Sequence, residues 1–285
     1  MNYSDEALTF ACEHDTLFGI LSRPEYPTRL GVIVIVGGPQ YRAGSHRQFV
    51  LLSRFLAVAG FPVLRFDYRG MGDSSGSQRN FCTVSADVNA AIGAMQIRLP
   101  SVSRFVLWGL CDGASAALLY CHHTNDQRIS GLCLLNPWVR SDASLARAQV
   151  KHYYLQRLKQ KAFWIKFLRG QGAIAALAGL WRNIRLMRSA DETTNSAKLL
   201  PFQQQMARAW RSFDGDILLV LSGKDYTAKE FLENLKVDST WAGLLEKAQV
   251  IRHDMVDADH TFSDSASRLR VEALTLTWLQ TRVPH

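Results

Sequence analysis

Phe105-Val106-Leu107-Trp108-Gly109-Leu110-Cys111-Asp112-Gly113-Ala114-Ser115 runs from an apolar stretch into small, helix-forming residues. The pattern is a G-x-C-x-G between a predicted strand, Phe105 to Trp108, and a predicted helix from Asp112 to about His122. A nucleophile at such a turn takes a strained backbone conformation, and the residues two before and two after it must be small. Gly109 and Gly113 meet that demand. Cys111 is then held at the carboxyl edge of a sheet, above a helix N-terminus whose dipole favours a thiolate and an oxyanion. The plainer reading of the motif alone is a buried cysteine in a tight turn, so its surroundings must decide.

Outward from this turn the chain alternates. Upstream, Leu30 to Val36 is an unbroken β-branched run, predicted as a central strand and followed by Gly37-Gly38-Pro39. A helix is predicted over His46 to Ala59, a strand over Phe61 to Tyr68, and a helix from Val84 to Leu99, stopped by Pro100. Downstream come the strands Ile129 to Leu135, Ile217 to Leu221 and Gln249 to His253, and a final helix from Ala266 to Thr281. Such alternation predicts βαβ units and a parallel sheet with helices on both faces. Ala7 to Cys12 and Leu17 to Leu21, around Glu13-His14-Asp15, predict an opening hairpin at the antiparallel edge. The rhythm breaks after Asn136-Pro137, which divides the chain into a core, 1–138 with 213–285, and a helical cap insertion, 139–212.

The order of candidate groups supports chemistry at the elbow. Asp225 lies just past the strand Ile217 to Leu221, and His260 follows the strand Gln249 to His253. Nucleophile, acid and histidine delivered from strand ends to one sheet edge form a Cys-His-Asp triad. The other histidines are weaker candidates: His253, inside a strand, is read as structural, and His122 and His123 fall at the exposed end of a helix. Asp254, Asp257 and Asp259 are too near His260 in sequence to orient it, although one could cap a loop.

With these residues in place, the chain resembles an α/β-hydrolase across nearly its whole core. Phe66-Asp67-Tyr68-Arg69-Gly70-Met71-Gly72-Asp73-Ser74-Ser75-Gly76 resembles the D-x-R-G-x-G-x-S loop after that superfamily's fourth strand. Gly37-Gly38-Pro39-Gln40-Tyr41, Ser45-His46-Arg47 and Gly109-Leu110-Cys111-Asp112-Gly113-Ala114 resemble the bacterial hydrolases associated with the exosortase A system. That resemblance implies a setting in exopolysaccharide or envelope biosynthesis and an unassigned substrate. Two positions depart from the superfamily pattern: a cysteine replaces serine, as in the dienelactone hydrolases, and Gly37-Gly38 replaces the usual His-Gly.

Composition fixes the class and places the charge. The 285 residues are 47% hydrophobic and 20% charged, which excludes disordered and collagen-like chains and allows one large core. The longest apolar run, Gly172 to Trp181, falls short of the roughly 18 residues a span needs, and Met1 to Phe10 carries acids where a signal peptide is basic. Five cysteines with no C-x-x-C pair predict free thiols in a cytoplasm. Between Arg140 and Ala190 the chain carries eleven Lys and Arg against Asp142 alone, a net +10 within a total of +8. The basic character therefore belongs to the insertion.

The chemistry expected is acyl transfer to the Cys111 thiol and on to water. His260 is the base, Asp225 its orienting acid, and the backbone N–H groups of Asp112 and Gln40 the oxyanion donors, since Pro39 has none. A thioester intermediate suits esters, thioesters and lactones. The alternatives are an acyltransferase and a non-catalytic binding component of an envelope assembly system. No metal or other cofactor is expected, because no cluster has ligand spacing. In the insertion, Tyr154, Leu155, Leu158, Ala162 and Ile165 recur at helical spacing, which predicts a lid with a solvated basic face. The sharper alternative is that Lys159, Lys161 and Lys166 bind an anionic acyl carrier, an acidic polysaccharide or a membrane surface. No nucleic-acid partner is expected, as no recognised module accompanies the charge.

Overall fold

The computed structural model describes residues 3–38, 40–140 and 200–283. Two compact units divide the chain, Met1–Val139 with Pro201–His285, and Arg140–Leu200. The second falls almost wholly outside the described residues, and with it Lys159, Lys161, Lys166 and most of the predicted cap.

The first unit is built on one eight-stranded sheet: β1 (Tyr3–Cys12), β2 (Asp15–Pro24), β3 (Leu30–Ile35), β4 (Val63–Asp67), β5 (Arg104–Leu110), β6 (Ile129–Leu135), β7 (Asp216–Ser222) and β8 (Val250–Met255). The spatial order is β1-β2-β4-β3-β5-β6-β7-β8, so the connection from β4 to β5 crosses over β3 and the chain then winds outward to β8. β1 pairs with β2 and β2 with β4 antiparallel, and every later pairing is parallel, as an α/β-hydrolase fold requires. The hairpin is longer than its alternating sequence core predicts, because polar residues at the edge continue the ladder to Tyr3 and Pro24.

Among the described residues, six helices cover the sheet: α1 (Gln48–Val58), α2 (Ser85–Arg98), α3 (Asp112–Thr124), α4 (Phe202–Ser212), α5 (Tyr226–Val237) and α6 (Ser265–Thr281). The period of two in each strand splits the core between two faces. Phe105 and Leu107 point to the side holding Ala117 and Leu118 of α3 and Trp210 of α4, all fully or nearly fully buried. Val106 and Trp108 point to the other, against Phe49 and Leu52 of α1 and Trp278 of α6. Burying one such side chain contributes about 1.5–3 kcal/mol, which is why the unbroken apolar runs become the central strands.

Two differences from the sequence expectation have physical causes. α1 starts at Gln48, not His46, because Gly44, His46 and Arg47 all take positive φ and a short 3-10 turn occupies Ser45–Arg47. Residues 202–212, placed by sequence in the insertion, form α4 and pack on the core: Trp210 stacks on Phe231 of α5 at 6.3 Å and meets Trp241 edge-on at 5.9 Å. A basic, polar stretch concealed that buried stripe.

Candidate active site

Cys111 sits between β5 and α3 with φ 61° and ψ −125°, a conformation that disfavours any side chain and is held from all sides. Its N–H donates to Leu135 O at 2.9 Å, and its carbonyl accepts from Ala114 N–H (3.1 Å) and Trp138 N–H (3.2 Å). The small flanking residues are obligatory. A Cβ on Gly109 would lie 2.4 Å from the Gly113 carbonyl group, and one on Gly113 would lie 2.4 Å from Ile35 O. The elbow therefore locks against both its own helix and the end of β3.

Asp225 ends the loop after β7 and caps α5, its carboxylate accepting from the N–H groups of Thr227 (3.0 Å) and Ala228 (3.3 Å). One oxygen also accepts from His260 Nδ1–H at 2.8 Å. Burial pushes the Asp225 carboxyl upward, but the bonds from His260, Thr227 and Ala228 outweigh it and hold the group below the usual range. His260 lies between β8 and α6, beside the Cys111 side chain, which helps to raise its pKa. Asp225 first and Cys111 second hold the imidazolium, against the opposing effect of burial, and push its pKa up to about 10. The structure thus brings the three predicted residues together, the carboxylate bonded to the imidazole and the imidazole beside the thiol.

Burial pushes up the thiols of Cys12, to about 11, and of Cys121, to about 12, and it raises Cys82 and Cys133 too. Cys111 is partly exposed and is the cysteine that lies beside His260.

The predicted oxyanion donors fare differently. Asp112 is the first residue of α3, so its N–H stands at the helix N-terminus beside the thiol. The Gln40 N–H, by contrast, donates to the Gly38 carbonyl at 2.8 Å; from this loop the Gly37 nitrogen lies against Gly113 of the elbow and the Gly38 N–H lowers the pKa of Asp112 beside it. The tight local turn spends the donor that the sequence assigned.

One positioning residue carries no motif. Asn136, fully buried with φ 44°, follows β6. Its amide donates to Ser222 Oγ (2.7 Å) and to the His260 carbonyl (3.1 Å), and its Oδ1 accepts from Ser222 N–H (2.8 Å). It ties the ends of β6 and β7 to the histidine loop. The Asn-Pro at a strand end was its only sequence signal. Asp259 provides the loop cap, accepting from Thr261 N–H at 3.1 Å and Ser263 N–H at 2.9 Å. His123 bridges Ser85 Oγ and Gln205 Oε1, each at 3.0 Å, and so fastens α2, α3 and α4. Among the described residues, no group of three or more His, Cys, Asp or Glu could hold a metal ion, and no helix is long and apolar enough to cross a membrane.

Comparison with known proteins bears on the family and the fold. Residues 28–196 match the model of a family described as serine aminopeptidase, S33, a span that contains the elbow but ends before Asp225 and His260. No curated protein matches. Among solved structures, the Pyrococcus furiosus esterase Pf2001 is 16% identical with a TM-score of 0.66, over 99% of this chain and 92% of that one. A dienelactone hydrolase from Anabaena variabilis is 12% identical with a TM-score of 0.60, over all of both chains. A putative hydrolase from Agrobacterium vitis is 14% identical with a TM-score of 0.58, over 97% and 99%. These likenesses establish the fold.

Proposed function

The chain belongs to the serine aminopeptidase S33 family of α/β hydrolases, and from that premise we propose that it is an acyl hydrolase whose nucleophile is Cys111. The observation that carries the reading is Cys111 at the strained elbow with His260 beside it, the imidazole held by Asp225 at 2.8 Å.

In this reading the Cys111 sulfur, its proton held by His260, attacks the acyl carbonyl carbon. The carbonyl π pair moves to oxygen, and the N–H groups of Asp112 and Gly38 stabilise that oxyanion. Collapse expels the alcohol or thiol, which takes its proton from the His260 imidazolium, and leaves an acyl-thioester on Cys111. Water then attacks this carbonyl as His260 accepts its proton, and the acid departs with the thiol restored. Asp225 stays ionised and fixes the imidazole with Nδ1–H toward itself. A thiolate leaving group is good, so esters, thioesters and lactones suit the site better than unstrained amides.

The resemblance to exosortase A-associated hydrolases supports a substrate from exopolysaccharide or envelope synthesis, and the net +10 of residues 140–190 supports an anionic acyl carrier bound by a cap. The test is a panel of one acyl group presented as neutral ester, neutral thioester, anionic thioester and anilide, read across ionic strength. Turnover of the esters and thioesters with little of the anilide is expected, as is salt-sensitive preference for the anionic member. Equal turnover of anilide and ester contradicts the thiol mechanism, and salt-independent turnover contradicts anion recognition.

A further inference from the structure

The site contains a group that this mechanism leaves unused. Asp112 directly follows the nucleophile, and its side chain turns to the loop after β3: a Cβ on Gly37 would lie 2.4 Å from Asp112 Oδ1 and 2.9 Å from the Gly113 nitrogen. Oδ1 is buried and has no hydrogen-bond partner. The carboxyl thus lies between the Gly37 backbone and the Gly113 nitrogen at the start of α3 without a hydrogen bond to Oδ1, and the nearby N–H groups lower its pKa. The titratable groups that face it are His260 from the loop before α6, Tyr68 from the loop after β4, and Cys82 ahead of α2. Of these only His260 offers a positive charge, and that charge is already shared by Asp225 and Cys111.

The same N–H groups are the ones a tetrahedral oxyanion needs, and two negative charges cannot share one small hollow without one of them taking a proton. We propose that Asp112 gates the oxyanion pocket: as a carboxylate its charge stands beside the donors and repels the developing oxyanion, and as a neutral acid it does not. The inference rests on Cys111 being the nucleophile. Burial holds the Asp112 carboxyl above its ordinary range, against the lowering effect of the surrounding N–H groups and of His260. The neutral form therefore persists to higher pH than at an exposed aspartate, and acylation declines as pH rises through the Asp112 titration. A neutral carboxyl held in an apolar site to serve an oxyanion has precedent in enzyme chemistry.

The test compares wild type, Asp112→Asn and Asp112→Ala with p-nitrophenyl acetate, a neutral ester, from about pH 4 to about pH 9, a range that brackets carboxyl titration. Both p-nitrophenolate release and acetyl mass on Cys111 are read. Asn preserves shape and removes charge. Ala repeats the test should Asn disturb the fold. Either variant is expected to exceed wild type by roughly 10- to 100-fold at the alkaline end, and to converge on it at the acid end. A ratio at or below one across the whole range overturns the gate, as does a gain of the same size at every pH. Cys111→Ala separates the two levels. If it abolishes acetylation while the Asp112 ratio stays flat, the gate alone falls; if acetylation and turnover survive it, the nucleophile reading falls and the gate with it.

Discussion

Two glycine-bearing loops meet near the carboxyl edge of the sheet, and they treat buried polar groups in opposite ways. In the loop after β4, the two fully buried charges, Asp67 and Arg69, each have partners of the other sign, and only the partly buried Arg79 leaves an atom, Nε, without one. Asp67 pairs with the Arg42 guanidinium and accepts from the N–H groups of Arg42 (2.8 Å) and Asp73 (3.1 Å). Arg69 donates to both oxygens of Asp87 and also reaches Glu13. Gly72, at φ 52°, exists to admit this network, since its Cβ would lie 2.2 Å from Asp67 Oδ2. In the elbow between β5 and α3 the glycines are as tightly constrained, yet Asp112 Oδ1 lacks a partner and the Cys111 thiol faces a histidine. A buried polar group left incomplete costs stability, so a fold keeps it where chemistry gains from it. The comparison separates a motif that builds from a motif proposed to react, although both read as glycine-rich turns in the sequence.

The largest effect expected from that contrast is on turnover. Cys111→Ala and His260→Ala should each lower kcat/KM by about four orders of magnitude or more, with the double variant scarcely worse, because the pair acts as a unit. Multiplicative losses in steady-state kinetics would break the comparison on the elbow side. On the other side, Asp87→Asn leaves the Arg69 guanidinium buried and only partly paired. It should cost about 3–5 kcal/mol of stability in urea unfolding, while the folded protein keeps its Cys111 alkylation rate. A catalytic loss larger than the stability loss would show that the β4 loop also reacts.

Smaller effects sharpen the boundary between the two. Asn136→Ala removes one buried amide that serves both Ser222 and the His260 carbonyl. A loss of about 1–3 kcal/mol is expected, with turnover reduced about tenfold at most as the histidine loop loosens. Loss of stability alone would make Asn136 purely architectural. The smallest effect concerns pH. The folded His260 pKa of about 10 lies above its unfolded value near 6.5, so the group binds more protons in the folded state between those values. Its contribution is fully present below about pH 6.5 and is lost as pH rises towards about 10. The stability gap between wild type and His260→Ala should shrink across that window, and a gap constant with pH would contradict the paired imidazolium.

Much of this was legible before any coordinates. Leu30 to Val36 and Ile129 to Leu135 announce buried strands because their apolar content leaves no other use for them, and the elbow announces itself because only glycine fits at 109 and 113. What escaped the sequence depends on distant partners. Asn136 acts on residues 86 and 124 positions away. Gln40 lost its donor to a local turn with Gly38 that no residue pattern specifies. α4 looked like part of the basic insertion until Trp210 met Phe231 and Trp241. The direction of the Asp112 side chain, which motivates the gate, follows from the absence of a side chain at Gly37.

The central claim is that Cys111 alone among the five cysteines is a nucleophile, and peptide mapping of a trapped acyl adduct tests it most directly. Brief exposure of the native protein to an activated acyl ester, quenched in acid and read as intact mass, should show one acyl group per chain. Fragmentation should place that group on Cys111, and pre-treatment with iodoacetamide at Cys111 should abolish it. An adduct on Cys12, Cys82, Cys121, Cys133 or a serine, or acylation undiminished in Cys111→Ala, would contradict the account.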